Sequence, residues 1–242
     1  MNQLLAVEGI SKSFRGLRAV ADVSFAVNPR SIVALIGPNG AGKTTLFNMI
    51  AGAIQPDAGK ILFGGNRIDG LRPDQICALG IARTFQIVKP FAGLTVLDNV
   101  LVGALQGCSS VASARMEAEG VLELLGLLAK RNLPAAALTL PDRKRLEVAR
   151  ALATRPKLLL LDEVMSGLRP MECDQLVKLF CEINQRDGIA IVLIEHVMRA
   201  VMALAQNIVV LQHGEIIAQG TPSRVVHDPA VLQCYLGEDA EV

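Results

Sequence analysis

The chain has few of the residues that mark metal-binding or strongly charged proteins. Its 242 residues include three histidines and five cysteines, and no two cysteines form a C-x-x-C pair. We therefore expect no structural zinc site, and cysteines scattered in this way favour a reducing compartment. The formal net charge is +1, so overall charge suggests neither a nucleic-acid partner nor an acidic lipid surface.

A signal peptide and a membrane span are also not expected. The amino terminus lacks a basic run followed by an apolar core, which argues against a secretory signal. The longest apolar stretch covers residues 189–211, but it contains Glu195, His196, Arg199 and Asn207. Such polar groups are costly inside a bilayer, so we interpret this stretch as strand, helix and strand of a globular core. Any membrane role must then come through partner subunits.

What the chain does contain is a phosphate-binding motif. Residues 37–44 satisfy the pattern G-x-x-x-x-G-K-[ST]. A buried strand is predicted over residues 31–36 and a helix over residues 45–51. The alternative is a glycine-rich structural turn, but the order strand, loop and helix favours a binding site. The motif consists of Gly37, Pro38, Asn39, Gly40, Ala41, Gly42, Lys43 and Thr44.

The chemistry of a phosphate chain explains this choice of residues. Glycines let backbone N–H groups converge on the anion without clashes from Cβ atoms, and a helix N-terminus adds a partial positive charge. We expect Lys43 to reach the outer phosphates and the Thr44 hydroxyl to coordinate Mg²⁺. Thr45 completes the predicted nucleotide-binding set. The predicted ligands are therefore ATP and Mg²⁺.

Strand and helix patterns alternate along most of the chain. The apolar runs at residues 157–161 and 189–194 are typical of parallel strands buried on both faces. Residues 208–211 and 215–218 predict a hairpin around His213 and Gly214. Further strands are predicted at residues 4–10, 23–27, 60–63 and 81–84. These patterns predict an α/β fold with a mainly parallel sheet and an antiparallel β region.

The pattern is mainly helical between residues 88 and 153. Residues 95–98 are typical of a capping box, and an apolar stripe at helical spacing follows over residues 118–125. We predict one domain over residues 1–242. Its core covers about 1–87 and 154–242, and an inserted helical subdomain covers about 88–153.

Four polar residues after predicted strands complete a candidate ATP site. Asp162 and Glu163 end an apolar strand, where Asp162 would hold Mg²⁺ and Glu163 would orient or polarise the attacking water. His196 follows another strand and could bond the γ-phosphate or that water. Gln86 could join the Mg²⁺ shell. The alternatives are a solvent-facing acidic pair, a structural histidine and an ordinary polar loop residue.

Over nearly its whole length the chain resembles the ATP-binding subunits of ABC transporters. The resemblance implies a P-loop NTPase (RecA-like) core, with Gln86 as the lid glutamine and His196 as the switch histidine. It also implies that Asp162 and Glu163 form the second acidic motif and that Phe14 stacks on adenine. Plain core packing is the alternative for Phe14.

Within this family the chain is most similar to the ATPases of branched-chain amino-acid importers. The similarity is carried by residues 37–50, 80–91 and 94–100, and by the tail segments 220–222, 228–229 and 235–237. It implies an ATPase that powers uptake of a small polar solute. Branched-chain amino acids lead as cargo, with urea or short amides as alternatives.

Two segments depart from the pattern of the family. Where a signature such as Leu-Ser-Gly-Gly-Gln is normal, residues 138–142 read Leu-Thr-Leu-Pro-Asp. Pro141 has no N–H to donate, and Asp142 adds a negative charge near the phosphates. We expect the basic residues 143–145 to offset that charge, unless they form a solvated helix start. Arg169 stands where the family usually has Asp or Asn, which puts communication between two ATP sites in doubt.

The resemblance also implies partners and a location. Family members close as head-to-tail dimers, and a heterodimer with a second ABC ATPase is favoured here over a homodimer. Permease subunits and an extracytoplasmic substrate-binding protein complete such a system, bound peripherally at the cytoplasmic face of the plasma membrane. A nucleotide-binding switch with weak hydrolysis is one alternative. A family member acting on DNA or ribosomes is another, but the near-neutral charge weighs against it.

Overall fold

The computed structural model describes residues 3–85 and 90–236, which form two β-sheets and surrounding helices. The strands are β1 (Leu5–Phe14), β2 (Leu17–Val27), β3 (Ile32–Ile36), β4 (Ala58–Phe63), β5 (Asn66–Arg67), β6 (Ile81–Arg83), β7 (Leu158–Asp162), β8 (Ala190–Ile194), β9 (Asn207–Gln212) and β10 (Glu215–Gly220). The helices are α1 (Lys43–Ile50), α2 (Pro73–Leu79), α3 (Val96–Ala104), α4 (Val111–Leu124), α5 (Leu140–Leu152), α6 (Pro170–Asp187), α7 (Met198–Leu204), α8 (Pro222–Val225) and α9 (Pro229–Leu236).

A six-stranded sheet forms the core, in the order β10-β9-β3-β8-β7-β6. The five strands from β9 to β6 run parallel, and β10 pairs antiparallel with β9 as the predicted hairpin. Every residue of β3, β7 and β8 is buried, because helices and the second sheet cover both faces. The carboxyl ends of β3, β8, β7 and β6 therefore lie along one edge.

The second sheet is antiparallel, with the order β2-β1-β4-β5. Its first two strands are longer than predicted, because the sequence pattern marked only residues 4–10 and 23–27. The added residues carry no apolar alternation, but their backbones pair across the hairpin, as in Ser13 opposite Arg18. Strand β4 also begins earlier than predicted, because Ala58 pairs with Ser11 of β1 across an irregularity in the register. The predicted α/β class, with parallel and antiparallel regions, is confirmed.

Between β6 and β7 the described regular elements are all helical. Thr95 accepts a hydrogen bond from the Asp98 backbone N–H and so caps α3, as predicted. Helix α3 packs on α4 and α5, and their apolar faces join one buried cluster with the core sheet. The boundaries of a helical subdomain at residues 88 and 153 stay a prediction.

The long apolar stretch at residues 189–211 forms β8, α7 and β9, which confirms strand, helix and strand. Val192 and Leu193 face opposite sides of the core sheet, and Val209 and Val210 do the same. Within residues 3–85 and 90–236, no helix has both the length and the apolar character that a bilayer span requires.

Candidate functional site

The glycine loop between β3 and α1 has a backbone that side chains would obstruct. Gly37 has φ of 144°, and a Cβ atom there would come within 2.0 Å of the Leu211 carbonyl oxygen. At Gly42, with φ of 100°, a Cβ atom would lie 2.4 Å from the Ala19 carbonyl oxygen. Both contacts are with backbone, which cannot swing aside. Glycine at these two positions therefore lets the loop approach the backbones of β9 and β2 closely.

The loop ends at the start of α1, where the first N–H groups of a helix have no carbonyl partner within the helix and can meet a phosphate. No side chain in the described part of the chain caps this helix, and Thr44 is exposed in its first turn. Lys43 is buried, and its Nζ donates to the carbonyl oxygens of Gly37 at 2.6 Å and Pro38 at 2.7 Å. These bonds hold the ammonium inside the curve of the loop, next to the space that a phosphate would fill.

The β9–β10 hairpin turn supports this loop, a contact that the sequence did not indicate. The Gly214 N–H donates to the Ala41 carbonyl oxygen at 3.1 Å, and the Ala21 N–H donates to the Gly214 carbonyl oxygen at 2.8 Å. The turn therefore ties the glycine loop to β2 of the antiparallel sheet.

Asp162, at the end of β7, is almost completely buried, with 1% exposure. Its Oδ2 accepts a hydrogen bond from Arg83 Nη2 at 2.8 Å, and its backbone N–H donates to Thr84 Oγ1 at 3.0 Å. Asp162 Oδ1 is buried and has no hydrogen-bond partner among the described residues. A buried carboxylate oxygen without a donor suits a metal ion or its water shell, so the site fits Mg²⁺.

Glu163 follows at once and is held in a strained backbone conformation, with φ of 50°. Its N–H donates to the Ile194 carbonyl oxygen at 2.9 Å, which fixes it to the end of β8. Its Oε1 lies 2.9 Å from Nε2 of His196, a half-exposed residue that follows β8. The exposure of His196 argues against a core histidine, and its contact with Glu163 was not foreseen.

Two buried charged residues surround the Glu163 backbone. Lys144 Nζ, from α5, donates to the Glu163 carbonyl oxygen at 3.0 Å. Glu195 Oε1 accepts the Met165 N–H at 2.9 Å. Burial raises the pKa of Glu195 to about 7, and the nearby Glu163 carboxylate adds to the shift, while the Met165 bond and Lys144 oppose it. Neither role could be predicted from the sequence, because the partners of Lys144 and Glu195 are distant along the chain.

Of the two remaining predicted site residues, Phe14 and Gln86, the structure describes only Phe14. Phe14 ends β1 beside the hairpin turn and is 43% exposed, with Lys12 Nζ 5.7 Å from its ring centroid. Core packing therefore does not explain Phe14, and its stacking on adenine stays a prediction. Gln86 lies outside the residues that the structure describes.

The altered signature forms the first turn of α5. Thr139 precedes the helix, and Pro141 occupies a first-turn position, where an N–H would lack a helical partner in any case. Asp142 accepts hydrogen bonds from Lys130 Nζ and, at 2.8 Å, from Thr139 Oγ1. Burial works against ionisation of Asp142, but these two bonds hold its pKa below the ordinary value.

The prediction for the three basic residues 143–145 therefore needs correction. Lys130 forms the ion pair with Asp142, and Arg145 adds only longer-range attraction. Arg143 donates to backbone carbonyl oxygens before the helix, and Lys144 donates to Glu163. The second departure, Arg169, is exposed at the start of α6, where its N–H donates to Glu172 Oε2 at 2.7 Å.

Strand, glycine loop and helix thus meet a buried aspartate, a glutamate and a histidine at one edge of a parallel sheet. This arrangement defines a nucleotide-binding protein of the phosphate-loop class. The family model described as "ABC transporter" matches residues 20–166, and one described as "Branched-chain amino acid ATP-binding cassette transporter" matches residues 215–241. The chain belongs to the ATP-binding proteins of ABC transporters, which are ATPases.

Curated relatives match along almost the whole chain. The high-affinity branched-chain amino acid transport ATP-binding protein LivG of Escherichia coli K12 is 40% identical, over 97% of this chain and 98% of its own. Its counterpart BraF of Pseudomonas aeruginosa is 38% identical with the same coverage. The lipopolysaccharide export system ATP-binding protein LptB of Haemophilus influenzae is 35% identical over 97% and 98%.

Solved structures agree with the fold. A nucleotide-free ATP-binding cassette from an ABC transporter superposes with a TM-score of 0.88 at 31% identity, covering 96% of this chain and 98% of that chain. An ATP-binding cassette solved in its ADP conformation gives the same TM-score and identity, covering 98% and 100%.

Proposed function

We propose that this chain binds Mg·ATP at the edge formed by the glycine loop, Asp162 and Glu163, and hydrolyses it to power uptake of a small polar solute. The observation that carries the proposal is the meeting of Glu163 and His196 beside the buried Asp162, on the side of the sheet where the glycine loop opens. Residues 37–45 bind the phosphates through backbone N–H groups and Lys43. Phe14 stacks on adenine.

Mg²⁺ would be held by the Thr44 hydroxyl and Asp162, with Gln86 joining its shell. When bound, the ion neutralises charge that develops on the phosphates. Carboxylate and hydroxyl oxygens are ligands that Mg²⁺ prefers, and it usually keeps several waters, so one carboxylate beside the nucleotide is sufficient. The chain's own contribution is to orient Asp162 through the bonds that Arg83 and Thr84 make to it.

The remaining residues act on the attacking water. Glu163 accepts a hydrogen bond from this water at its carboxylate and takes up its proton as attack proceeds. His196 bonds Oε1 of Glu163 and so fixes the direction of the carboxylate. Lys144 holds the carbonyl oxygen of Glu163 and Glu195 holds the N–H of Met165, two residues later, which limits the positions that the Glu163 side chain reaches.

The relatives bear on the cargo. LivG and BraF are named for branched-chain amino acid transport, and the model matching residues 215–241 carries the same description. We therefore propose branched-chain amino acids as the cargo, and none of these names favours urea or short amides. The lipopolysaccharide exporter subunit is 35% identical, so likeness of the ATPase alone discriminates cargo weakly.

The cargo contacts belong to partner subunits, of which permeases are implied by the family. We propose that a permease segment binds in a cavity of about 560 Å³ between the core sheet and helices α2, α3 and α5. It exposes Phe85, Phe91 and Val102, and the Arg150 guanidinium lies 4.7 Å from the Phe91 ring centroid. An apolar groove with a charged wall suits an amphipathic helix.

The assembly proposed for the chain is a peripheral complex at the cytoplasmic face of the plasma membrane. It comprises permeases, an extracytoplasmic substrate-binding protein and a second ATPase. A heterodimer is favoured because Pro141 and Arg169 change the surface that a partner's ATP would meet. A homodimer stays the alternative, and strong turnover by this chain alone would exclude a required heterodimer.

A second candidate function is a nucleotide-binding switch with weak hydrolysis. It is favoured by the same two departures, Pro141 and Arg169. Turnover measured with purified permeases and both ATPases decides between the two. Powered uptake requires Mg·ATP hydrolysis that the solute-loaded binding protein stimulates. Nucleotide binding with negligible turnover in the full assembly would support the switch instead.

A further inference from the structure

Arg83, at the end of β6, contacts a carboxylate, an amide and two aromatic rings near the proposed metal site. Its Nη2 donates to Asp162 Oδ2 at 2.8 Å, and its Nη1 donates to Asn48 Oδ1 on α1 at 2.5 Å. The guanidinium carbon lies 5.8 Å from the Phe47 ring centroid and 5.6 Å from that of Phe85. The side chain is 10% exposed, so these contacts are nearly removed from water.

The ion pair leaves a particular atom of Asp162 open. Oδ2 is taken by Arg83, whereas Oδ1 is buried without a hydrogen-bond partner in the described part of the chain. An unsatisfied buried carboxylate oxygen is destabilising, so an arrangement that retains one is prepared for a ligand. Thr84, next to Arg83, also holds the Asp162 backbone N–H. Arg83, the last residue of β6, and Thr84, which follows it, thus hold the side chain and the backbone of Asp162.

We propose that Arg83 is a positioning residue for the metal-binding carboxylate. It holds Oδ2 of Asp162 and directs Oδ1 toward the Mg²⁺ shell. Its charge also compensates the buried carboxylate before the ion arrives, since a buried carboxylate without a partner is strongly destabilised. The inference rests on the proposed function, because Asp162 has a metal to hold only if the loop binds Mg·ATP.

The geometry of the guanidinium matters more than its charge alone. Asn48 and the two phenylalanine rings fix the plane of the Arg83 guanidinium, so that Nη1 and Nη2 point to different partners. A lysine supplies one point charge and cannot bridge Asn48 and Asp162 in a fixed fork. Arg83→Lys should therefore retain only part of the metal affinity that Arg83→Met loses.

The test measures metal binding directly, by Mn²⁺ electron paramagnetic resonance on the full chain with a saturating non-hydrolysable ATP analogue. Mn²⁺ replaces Mg²⁺ because both prefer oxygen ligands. We expect Arg83→Met to weaken Mn²⁺ binding about tenfold or more, which is the usual effect of losing a residue that orients a metal ligand. The Mn²⁺ affinity of Arg83→Lys should lie between those of Arg83→Met and the unmodified chain. The control Arg186→Met, at an exposed ion pair of α6, should match the unmodified chain.

Nucleotide affinity without metal, measured in EDTA with a fluorescent ATP analogue, separates the inference from the function on which it rests. It should stay within about twofold in Arg83→Met, because the glycine loop is intact. Mn²⁺ binding that is unchanged or tighter in Arg83→Met would overturn the role of Arg83. Failure of the unmodified chain to bind nucleotide would instead overturn the proposed function. If Arg83→Met does not fold, the test uses Arg83→Lys instead. Mn²⁺ binding by Arg83→Lys equal to that of the unmodified chain would then reject the inference.

Discussion

His196 Nε2 lies 2.9 Å from Glu163 Oε1, and the two residues follow neighbouring parallel strands, β8 and β7. The Glu163 backbone adds a second link, because its N–H donates to the Ile194 carbonyl oxygen. The glutamate is therefore held from the β8 side at both its backbone and its side chain. Its position depends on His196 before any nucleotide is present.

The first prediction concerns Glu163 as the residue that orients water. Glu163→Gln keeps the size of the side chain but removes the carboxylate that accepts a proton. We expect kcat to fall about a hundredfold or more, with ATP affinity changed little. Steady-state phosphate release and equilibrium nucleotide binding give the two values. Glu182→Gln, on the exposed side of α6, is the matched control, and equal turnover in both variants would reject the role of Glu163.

The second prediction concerns the coupling of His196 to Glu163. If His196 acts through Glu163, the effects of His196→Ala and Glu163→Gln should not add, because each change disrupts the same unit. The double variant should hydrolyse ATP within about threefold of Glu163→Gln alone. A double-mutant cycle on kcat is the measurement. Additive losses would show that His196 acts independently, for example on the γ-phosphate.

The third prediction follows from the pKa of Glu195, raised to about 7 chiefly by burial. The folded protein holds this proton more tightly than the unfolded chain, where the ordinary value is 4.5. The stabilisation is fully present below about pH 4.5 and is lost as pH rises through about 7. Glu195 should thus make unfolding easier at pH 8 than at pH 5, by up to about 3 kcal/mol.

Glu195→Gln should remove this part of the pH dependence, because glutamine keeps the acceptor for the Met165 N–H without titrating. Denaturant unfolding from pH 5 to 8 gives the comparison. Burial also raises the pKa of Glu147, so the informative quantity is the difference between variant and unmodified chain. Parallel stability profiles for the two proteins would contradict the assignment.

The fourth prediction concerns Lys130 as the partner of Asp142. Lys130→Met should destabilise the chain by about 1 kcal/mol at pH 7, since a mostly buried carboxylate then keeps the Thr139 hydrogen bond but loses its ion pair. The ion pair stabilises above the ordinary pKa of Asp142, 3.8, and is lost as pH falls through the lowered value. The penalty should therefore shrink in acid. Lys178→Met, on exposed α6, is the control, and an equal effect in both would reject the pair.

Much of the fold could be predicted from the sequence because its central strands are continuous apolar runs. Residues 157–161 and 189–194 need burial on both faces, and that requirement alone indicates parallel strands covered by helices. The antiparallel hairpin was underestimated because residues 11–14 and 17–22 pair through their backbones, whatever their side chains. Apolar pattern carries no information on such pairing.

The residues of the candidate site that could be predicted are likewise those that belong to local sequence patterns. The glycine loop and the acidic pair are local patterns with a chemical reason for each residue, and the structure brings them to one edge. Arg83, Lys144 and Glu195 were missed because each acts on a residue far away in sequence. Lys130 was missed because the charge of Asp142 was expected to be offset by residues 143–145, which are closer to it in sequence. Only the folded chain shows which of several charges is the partner.

Isothermal titration calorimetry of the purified chain with Mg·ATP tests the proposed site most directly. We expect saturable binding of one nucleotide per chain, weakened by removal of Mg²⁺ and abolished by Lys43→Ala while the variant remains folded. The proposed second ATPase is not needed for this measurement, because the glycine loop and Asp162 belong to one molecule. Absence of binding by folded protein, or undiminished binding by Lys43→Ala, would contradict a nucleotide site at this edge.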